Sequence, residues 1–184
     1  GPGSNAMIAT NCDRLEIYVG GAHHPTAYPD FAQLPSLAHP PAFANITVDG
    51  TGQPELRIDG YVGSNVATST RMSADTSTDR LALFADDRSI TADGTDSTRL
   101  TFRALDVYGN QRRRATGEVR LSLAGPATLT GDNPFDFSRY GGVGGAFLRS
   151  IPGRTGRVTV TALHKTLGKA KVTVMVEAAS GAAL

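Results

Sequence analysis

The chain has no tryptophan, one cysteine and a net charge of only +1 over 184 residues. One cysteine excludes a disulfide framework, so burial alone has to hold the fold. The balance of 18 basic against 17 acidic side chains provides no overall basic field for nucleic acid. No uninterrupted apolar run approaches the roughly 20 residues a helix needs to cross a bilayer, so no membrane span is expected. The absence of indole rings also removes the flat faces on which many sugar-binding sandwiches rely. What is present, 40% apolar and 19% charged residues, suits a chain with a buried core.

Residues 1–7 look like a cloning remnant, because Gly-Pro-Gly-Ser-Asn-Ala has neither the basic start nor the apolar stretch of a signal peptide. The natural sequence would then enter at Met7 or Ile8, and the compartment is not legible. A polar stretch, Ser73-Ala74-Asp75-Thr76-Ser77-Thr78-Asp79, reads as a boundary between a first domain, 8–79, and a second, 80–177, with a flexible tail at 178–184. Up to Asp79 there are 3 basic and 8 acidic side chains, −5; beyond it 15 and 9, +6. The neutral total is therefore the sum of two oppositely charged halves. Prolines crowd the first domain, at 25, 29, 35, 40, 41 and 54. A domain of about 70 residues without a disulfide buries little surface, and is expected to lean on its neighbours.

Patterned segments alternate with period two. Leu15, Ile17 and Val19 alternate with Arg14, Glu16 and Tyr18, and Leu56 and Ile58 with Arg57 and Asp59. The second half repeats the pattern at Leu81/Leu83, Leu100/Phe102, Val119/Leu121/Leu123, Val158/Val160 and Val172/Val174/Val176. Turn signals such as Asp93-Gly94, Gly125-Pro126 and Pro152-Gly153 separate them, and no segment has helical period. The expectation is an all-β chain of two immunoglobulin-like antiparallel β-sandwich domains in tandem. Around Ala104 the apolar positions switch from even to odd, which predicts a β-bulge. The following Asp106-Val107-Tyr108-Gly109-Asn110 predicts a tight turn with Gly109 at positive φ and Asp106 bonding back to its amides.

Chemistry is sparse. His23 and His24 are adjacent and point to opposite faces of an extended segment, and His39 lies beyond a proline-rich loop, so no metal set is expected. Asp93-Gly94-Thr95-Asp96 and Asp132-Asn133-Pro134-Phe135-Asp136 resemble pieces of calcium loops but lack the ladder of oxygen ligands, which favours turns. The four glutamates, Glu16, Glu55, Glu118 and Glu177, form no evident catalytic pair, and no serine sits in a nucleophile elbow. Gly141-Gly142-Val143-Gly144-Gly145 leads into a strand-like segment, so it reads as a turn or bulge rather than a phosphate cradle. Arg112-Arg113-Arg114 lacks the aromatic platforms of a nucleic-acid site and reads as a solvated loop or an edge contact. Cys12 reads as a small buried residue, and Asn45-Ile46-Thr47 fits a glycosylation acceptor inside a strand-like run. No catalytic, cofactor-binding or metal-binding residue is assigned, and no cofactor is expected.

Two stretches stand out. Asn11-Cys12-Asp13-Arg14-Leu15-Glu16-Ile17-Tyr18-Val19-Gly20-Gly21, His39-Pro40-Pro41-Ala42-Phe43 and Pro54-Glu55-Leu56-Arg57-Ile58-Asp59-Gly60-Tyr61 with Val66-Ala67-Thr68 resemble the immunoglobulin-like domain after the catalytic barrel of bacterial family 2 glycoside hydrolases, the β-galactosidase group. Leu83-Phe84-Ala85-Asp86, Ala92-Asp93-Gly94-Thr95-Asp96, Asp106-Val107-Tyr108-Gly109-Asn110, Gly131-Asp132-Asn133-Pro134-Phe135 and residues 142–149 and 156–162 resemble the last sandwich of the same enzymes. The similarity runs collinearly through residues 8–177. It departs at the turn, Gly20-Gly21-Ala22 where the group has Asn-Gly-Lys, and in the proline-rich loop from Pro25 to Pro41.

The resemblance implies a non-catalytic accessory region. Its partners would be the catalytic barrel and preceding domains of a hydrolase, in a bacterial cytoplasm or secreted, and its roles would extend to oligomer contacts or the rim of the sugar site. The Asp-Gly-x-Asp and Asp-x-x-Gly-Asn signals occur also in invasin-like surface adhesin repeats, which stand as the alternative. A carbohydrate-binding module, with carbohydrate as partner, is the third reading.

Overall fold

The computed structural model describes residues 3–48, 52 and 55–178. The expected tail lies outside them apart from Ala178, as does Pro54. The chain forms two compact units, Gly1–Thr78 with Asp106–Tyr108, and Asp79–Leu105 with Gly109–Leu184. Both are antiparallel β-sandwiches of immunoglobulin type, and the described residues contain no helix long and apolar enough to cross a membrane.

In the first unit, β2 (Arg14–Val19), β3 (Ala22–Ala27), β5 (Glu55–Val62) and β6 (Asn65–Ser73) make a four-stranded sheet in the order β3-β2-β5-β6. It packs on a two-stranded sheet of β1 (Gly3–Ile8) and β4 (Ala42–Ile46). Within the stretch read as a remnant, Met7 pairs with Phe43 and Ala6 with Ala44. Alternation explains the core, because successive side chains on a strand point to opposite faces. Leu15, Ile17 and Val19 are buried with Cys12, Ala27, Ala42, Ile46 and Leu56, while Arg14, Glu16 and Tyr18 face outward. Gly20 and Gly21, at φ +56° and +83°, form the two-residue turn that closes Val19 against Ala22. Two positive φ angles are what such a hairpin requires, so Gly-Gly replaces Asn-Gly without altering the geometry.

The second unit comprises β7 (Arg80–Ala85), β8 (Ser89–Thr91), β9 (Ser97–Leu105), β10 (Glu118–Ala124), β11 (Ala127–Thr130), β12 (Phe135–Asp136), β13 (Val143–Ser150), β14 (Gly156–His164) and β15 (Gly168–Glu177). Its sheets run β12-β10-β14-β15-β8 and β11-β13-β9-β7, antiparallel throughout except where β8 lies parallel to β15. Between them Phe102, Phe135 and Phe137 form an aromatic cluster, the first two edge-to-face with centroids 5.1 Å apart. Residues 141–145 divide between a turn at Gly141-Gly142 and the start of β13, where Gly144 faces this cluster.

The bulge expected at Ala104 is absent. Pairing of β9 with β7 runs unbroken from Leu105 opposite Arg80 to Leu100 opposite Ala85, and Leu100, Phe102 and Ala104 stay on the buried face. Leu105 is buried for another reason: the strand ends there, and its backbone bridges Gln111 as the chain turns back. In that turn Gly109 sits at φ +88° and Asp106 Oδ1 accepts from Tyr108 N at 2.9 Å, as the sequence indicates. The buried Asp106 also accepts from Ser73 N through Oδ2 at 3.1 Å.

A Cβ on Gly144 would run into the rings of Phe102 and Phe135. Gly144→Val should therefore cost about 1–3 kcal/mol, the usual effect of overpacking a filled core. Urea unfolding followed by circular dichroism measures it; a variant as stable as the parent would mean the cluster is loosely packed.

Candidate functional site

The outward face of the first sheet is an ordered polar surface set by the register of β2 against β5. That register places Arg14 opposite Tyr61, Glu16 opposite Asp59 and Tyr18 opposite Arg57. The Arg14 guanidinium lies 4.2 Å from the Tyr61 ring centroid and that of Arg57 lies 4.0 Å from that of Tyr18, so a directly opposed cation–π pair flanks the central acid pair on either side. Two carboxylates directly opposite would repel. Each is compensated instead: Glu16 by Arg14 Nε at 3.1 Å, His23 Nε2 at 2.6 Å and Thr26 Oγ1 at 2.9 Å, and Asp59 by Arg57 Nε at 3.3 Å and Ser69 Oγ at 2.6 Å. The hydrogen bond from His23, joined by those from Thr26 and Arg14, holds the Glu16 carboxyl below the usual carboxylate range. That is the wrong direction for a general acid, which needs a raised value.

Beside this face lies a cleft of about 280 Å³ lined by Thr10, Asn11, Cys12, Asp13, Pro29, Phe31, Ala38 and His39. It brings together the Asn11-Cys12-Asp13 and His39 segments, far apart in sequence. Asp13 accepts from Gly63 N at 2.6 Å and Arg14 donates to Gly63 O at 2.7 Å, so the β5–β6 hairpin is clasped to the entry of β2. Cys12 is buried against Gly60, where a Cβ would meet its Sγ. The loop from Pro25 to Pro41 is pinned by Asp30 N donating to Pro41 O, and it presents Tyr28, Phe31 and Leu37 at 62%, 55% and 45% exposure. Three large apolar side chains exposed on one loop have the chemistry of a protein contact.

The other residues singled out from the sequence are dispersed. His24 lies on the opposite face of β3 from His23, opposite the buried Ile17, and His39 is exposed at the cleft. Among the described residues no three His, Cys, Asp or Glu side chains converge to hold a metal ion. Asp93 Oδ1 accepts from Thr95 N and Asp96 N, both at 2.7 Å, and Asp136 Oδ1 from Ser138 N at 2.9 Å, which is turn chemistry. Arg112 is no solvated loop residue: Nε and Nη2 grip the largely buried Asp79 Oδ1 at 2.8 and 2.7 Å. Arg113 and Arg114 are exposed. Glu118 pairs with Arg120 at 2.9 Å, and Glu55 approaches Arg71 at 3.9 Å. Asn45 Oδ1 accepts from Asn5 N at 2.7 Å.

A larger recess in the second unit, about 640 Å³, is lined by Thr116, Gly117, Glu118, Arg120, His164 and Lys165 among others. Its buried histidine is spent on structure: Nδ1 accepts from Leu167 N at 3.1 Å, which leaves Nε2–H to donate to Thr116 O at 3.0 Å. Sequence reasoning missed the Tyr28, Phe31 and Leu37 display, whose only trace is apolar residues between prolines without period.

The profile of glycoside hydrolase family 2 C-terminal domain 5 matches residues 81–173. A beta-galactosidase of Rhizobium meliloti is 29% identical over 185 residues, covering 96% of this chain and 24% of that protein. One from Thermoanaerobacter pseudethanolicus is 28% identical over 156 residues, covering 80% of this chain and 21% of its own length. The chain thus spans about a quarter or less of these bacterial relatives. Among solved structures, a glycosyl hydrolase family 2 member from Bacteroides cellulosilyticus aligns over 91% of this chain and 22% of its own, with TM-score 0.65 and 21% identity. A family 2 beta-glucuronidase aligns over 97% and 19%, with TM-score 0.68 and 18% identity. Likeness at that identity establishes the shared tandem-sandwich fold.

Because the Glu16 carboxyl is held low, the sign of its contribution to stability is fixed. It is fully present above the ordinary carboxylate value, 4.5, and is lost as pH falls through the lowered folded-state value. Glu16→Gln should flatten the dependence of stability on pH below about 4.5. Denaturant titrations at stepped pH test this; parallel curves for both proteins would show that the cluster does not hold the charge.

Proposed function

Because this chain belongs to the family of glycoside hydrolase family 2 C-terminal domain 5, we propose that it is a non-catalytic accessory region of a β-galactosidase-like enzyme, supporting the catalytic barrel by docking through its first domain. The observation that carries this reading is the loop display of Tyr28, Phe31 and Leu37 beside the Asn11–His39 cleft. Exposed side chains of this size on a domain of about 70 residues have most to gain from a covering surface. The acids support the same reading. Glu16 is committed as a carboxylate within an ion-pair cluster and Glu118 to Arg120, whereas glycoside hydrolysis needs two carboxyl groups flanking one bond with one of them protonated. The tyrosine rings of the polar face lie under guanidinium groups, which weighs against their use as a sugar-stacking platform.

The experiment compares the 184-residue chain with the longer protein that contains it. Phe31→Ser with Leu37→Ser should change the isolated chain by less than about 0.5 kcal/mol, since both side chains are already exposed there. In the longer protein the same pair should cost about 1–3 kcal/mol per side chain removed from a buried contact. Equal effects in both backgrounds would refute docking through the loop. The isolated chain should also give no turnover of a nitrophenyl galactoside above buffer; turnover would refute the non-catalytic reading.

A further inference from the structure

Sheet edges expose unpaired backbone groups, and folded proteins blunt them. Most edges of this chain carry such a device. β3 contains Pro25. β1 is broken at Asn5, which stands at φ +51° where the register shifts against β4, and β4 follows Pro40-Pro41 and is bridged at Ala42 by Pro29. In the second unit β8, β11 and β12 have three, four and two residues, and β7 donates from Leu81 N to Leu167 O. Among the described strands β6 is the exception. It is nine residues long, has no proline, and its one charge is Arg71. Its first seven residues are exposed on both faces. After one irregularity at Ala67 it pairs regularly with β5 from Thr68 to Ser73.

We propose that this edge takes a second copy of the same chain, β6 against β6, antiparallel about Thr70, joining two four-stranded sheets into one. Sheet sidedness restricts the register, because a residue on one face must meet a residue on the same face. Thr68, Thr70 and Met72 lie opposite Gly60, Ile58 and Leu56 on the core side, while Ser69 and Arg71 lie opposite Asp59 and Arg57 on the polar side. Centring on Thr70 sets Thr70 against Thr70, Met72 against Thr68 and Arg71 against Ser69. Thr–Thr pairs are favourable across strands. No like charges stand directly opposite, and Arg71, which within its own chain stands opposite Arg57 and 3.9 Å from Glu55, comes beside a serine whose hydroxyl donates to Asp59 Oδ1 at 2.6 Å. This pairing is independent of the accessory role.

Sedimentation of the 184-residue chain across concentration should show a monomer–dimer equilibrium. Thr70→Lys, an exposed site where the fold is not at stake, should raise the dissociation constant at least about tenfold by placing like charges opposite each other. Under mild oxidation Thr70→Cys should cross-link into a covalent dimer, since directly opposite residues lie about 4.5–5.5 Å apart. Arg71→Cys should not, because its own copies would be diagonal, roughly 7–8 Å apart. A monomer at every concentration, a dimer indifferent to Thr70→Lys, or equal cross-linking at both positions would overturn the proposal. So would a dimer that vanishes in the longer protein, which would assign the edge to another segment of that protein.

Discussion

The pairing of β2 with β5 is the constraint from which the first domain follows. A strand has two faces, and a shift of one residue would send Leu15, Ile17 and Val19 to solvent and Arg14, Glu16 and Tyr18 into the core. Burial of the apolar set thus fixes the register, and the register decides which groups meet outside. The directly opposed arginine–tyrosine pairs on either side of Glu16 and Asp59 are a consequence of packing on the opposite side of the sheet. Surface chemistry and core are one decision here. The clasp of Asp13 and Arg14 on Gly63 extends that decision to the β5–β6 hairpin, and through it to the placement of the β6 edge.

The second domain is organised differently. Its two sheets are held by a centre of three phenylalanines rather than by branched aliphatics alone, and Gly144 exists because the rings leave no room for a side chain. Around that centre the polar residues secure turns: Asp93 caps its own loop, Arg112 grips Asp79, and His164 gathers the hairpin that follows it. In this half, then, Asp93, Arg112 and His164 work as joinery.

Strands with one buried face were legible in the sequence, because burial writes itself as alternation. β2, β5, β7, β9, β10, β14 and β15 all coincide with alternating segments. β3 was not legible: Ala-His-His-Pro-Thr-Ala carries no alternation and owes its strand to the turn before it and to pairing with β2. β1 lies largely in residues read as a remnant. The misplaced bulge at Ala104 shows how an apolar residue at a strand end imitates a change of face, since Leu105 is buried by the chain's return rather than by its sheet. The polar cluster was only half visible. Its residues could be named from the alternation, but which arginine covers which tyrosine depends on a register between segments some 40 residues apart, which no local pattern records.

The arrangement of tyrosines has an optical consequence. With no tryptophan, ultraviolet emission from this protein comes from Tyr18, Tyr28, Tyr61, Tyr108 and Tyr140. The first four belong to the first unit, Tyr108 by way of its turn, and Tyr140 alone to the second, beside Phe135. Tyrosine fluorescence therefore reads one sandwich almost selectively, while the other is nearly dark. The chain carries a built-in reporter by which the melting of its two halves can be told apart without a label.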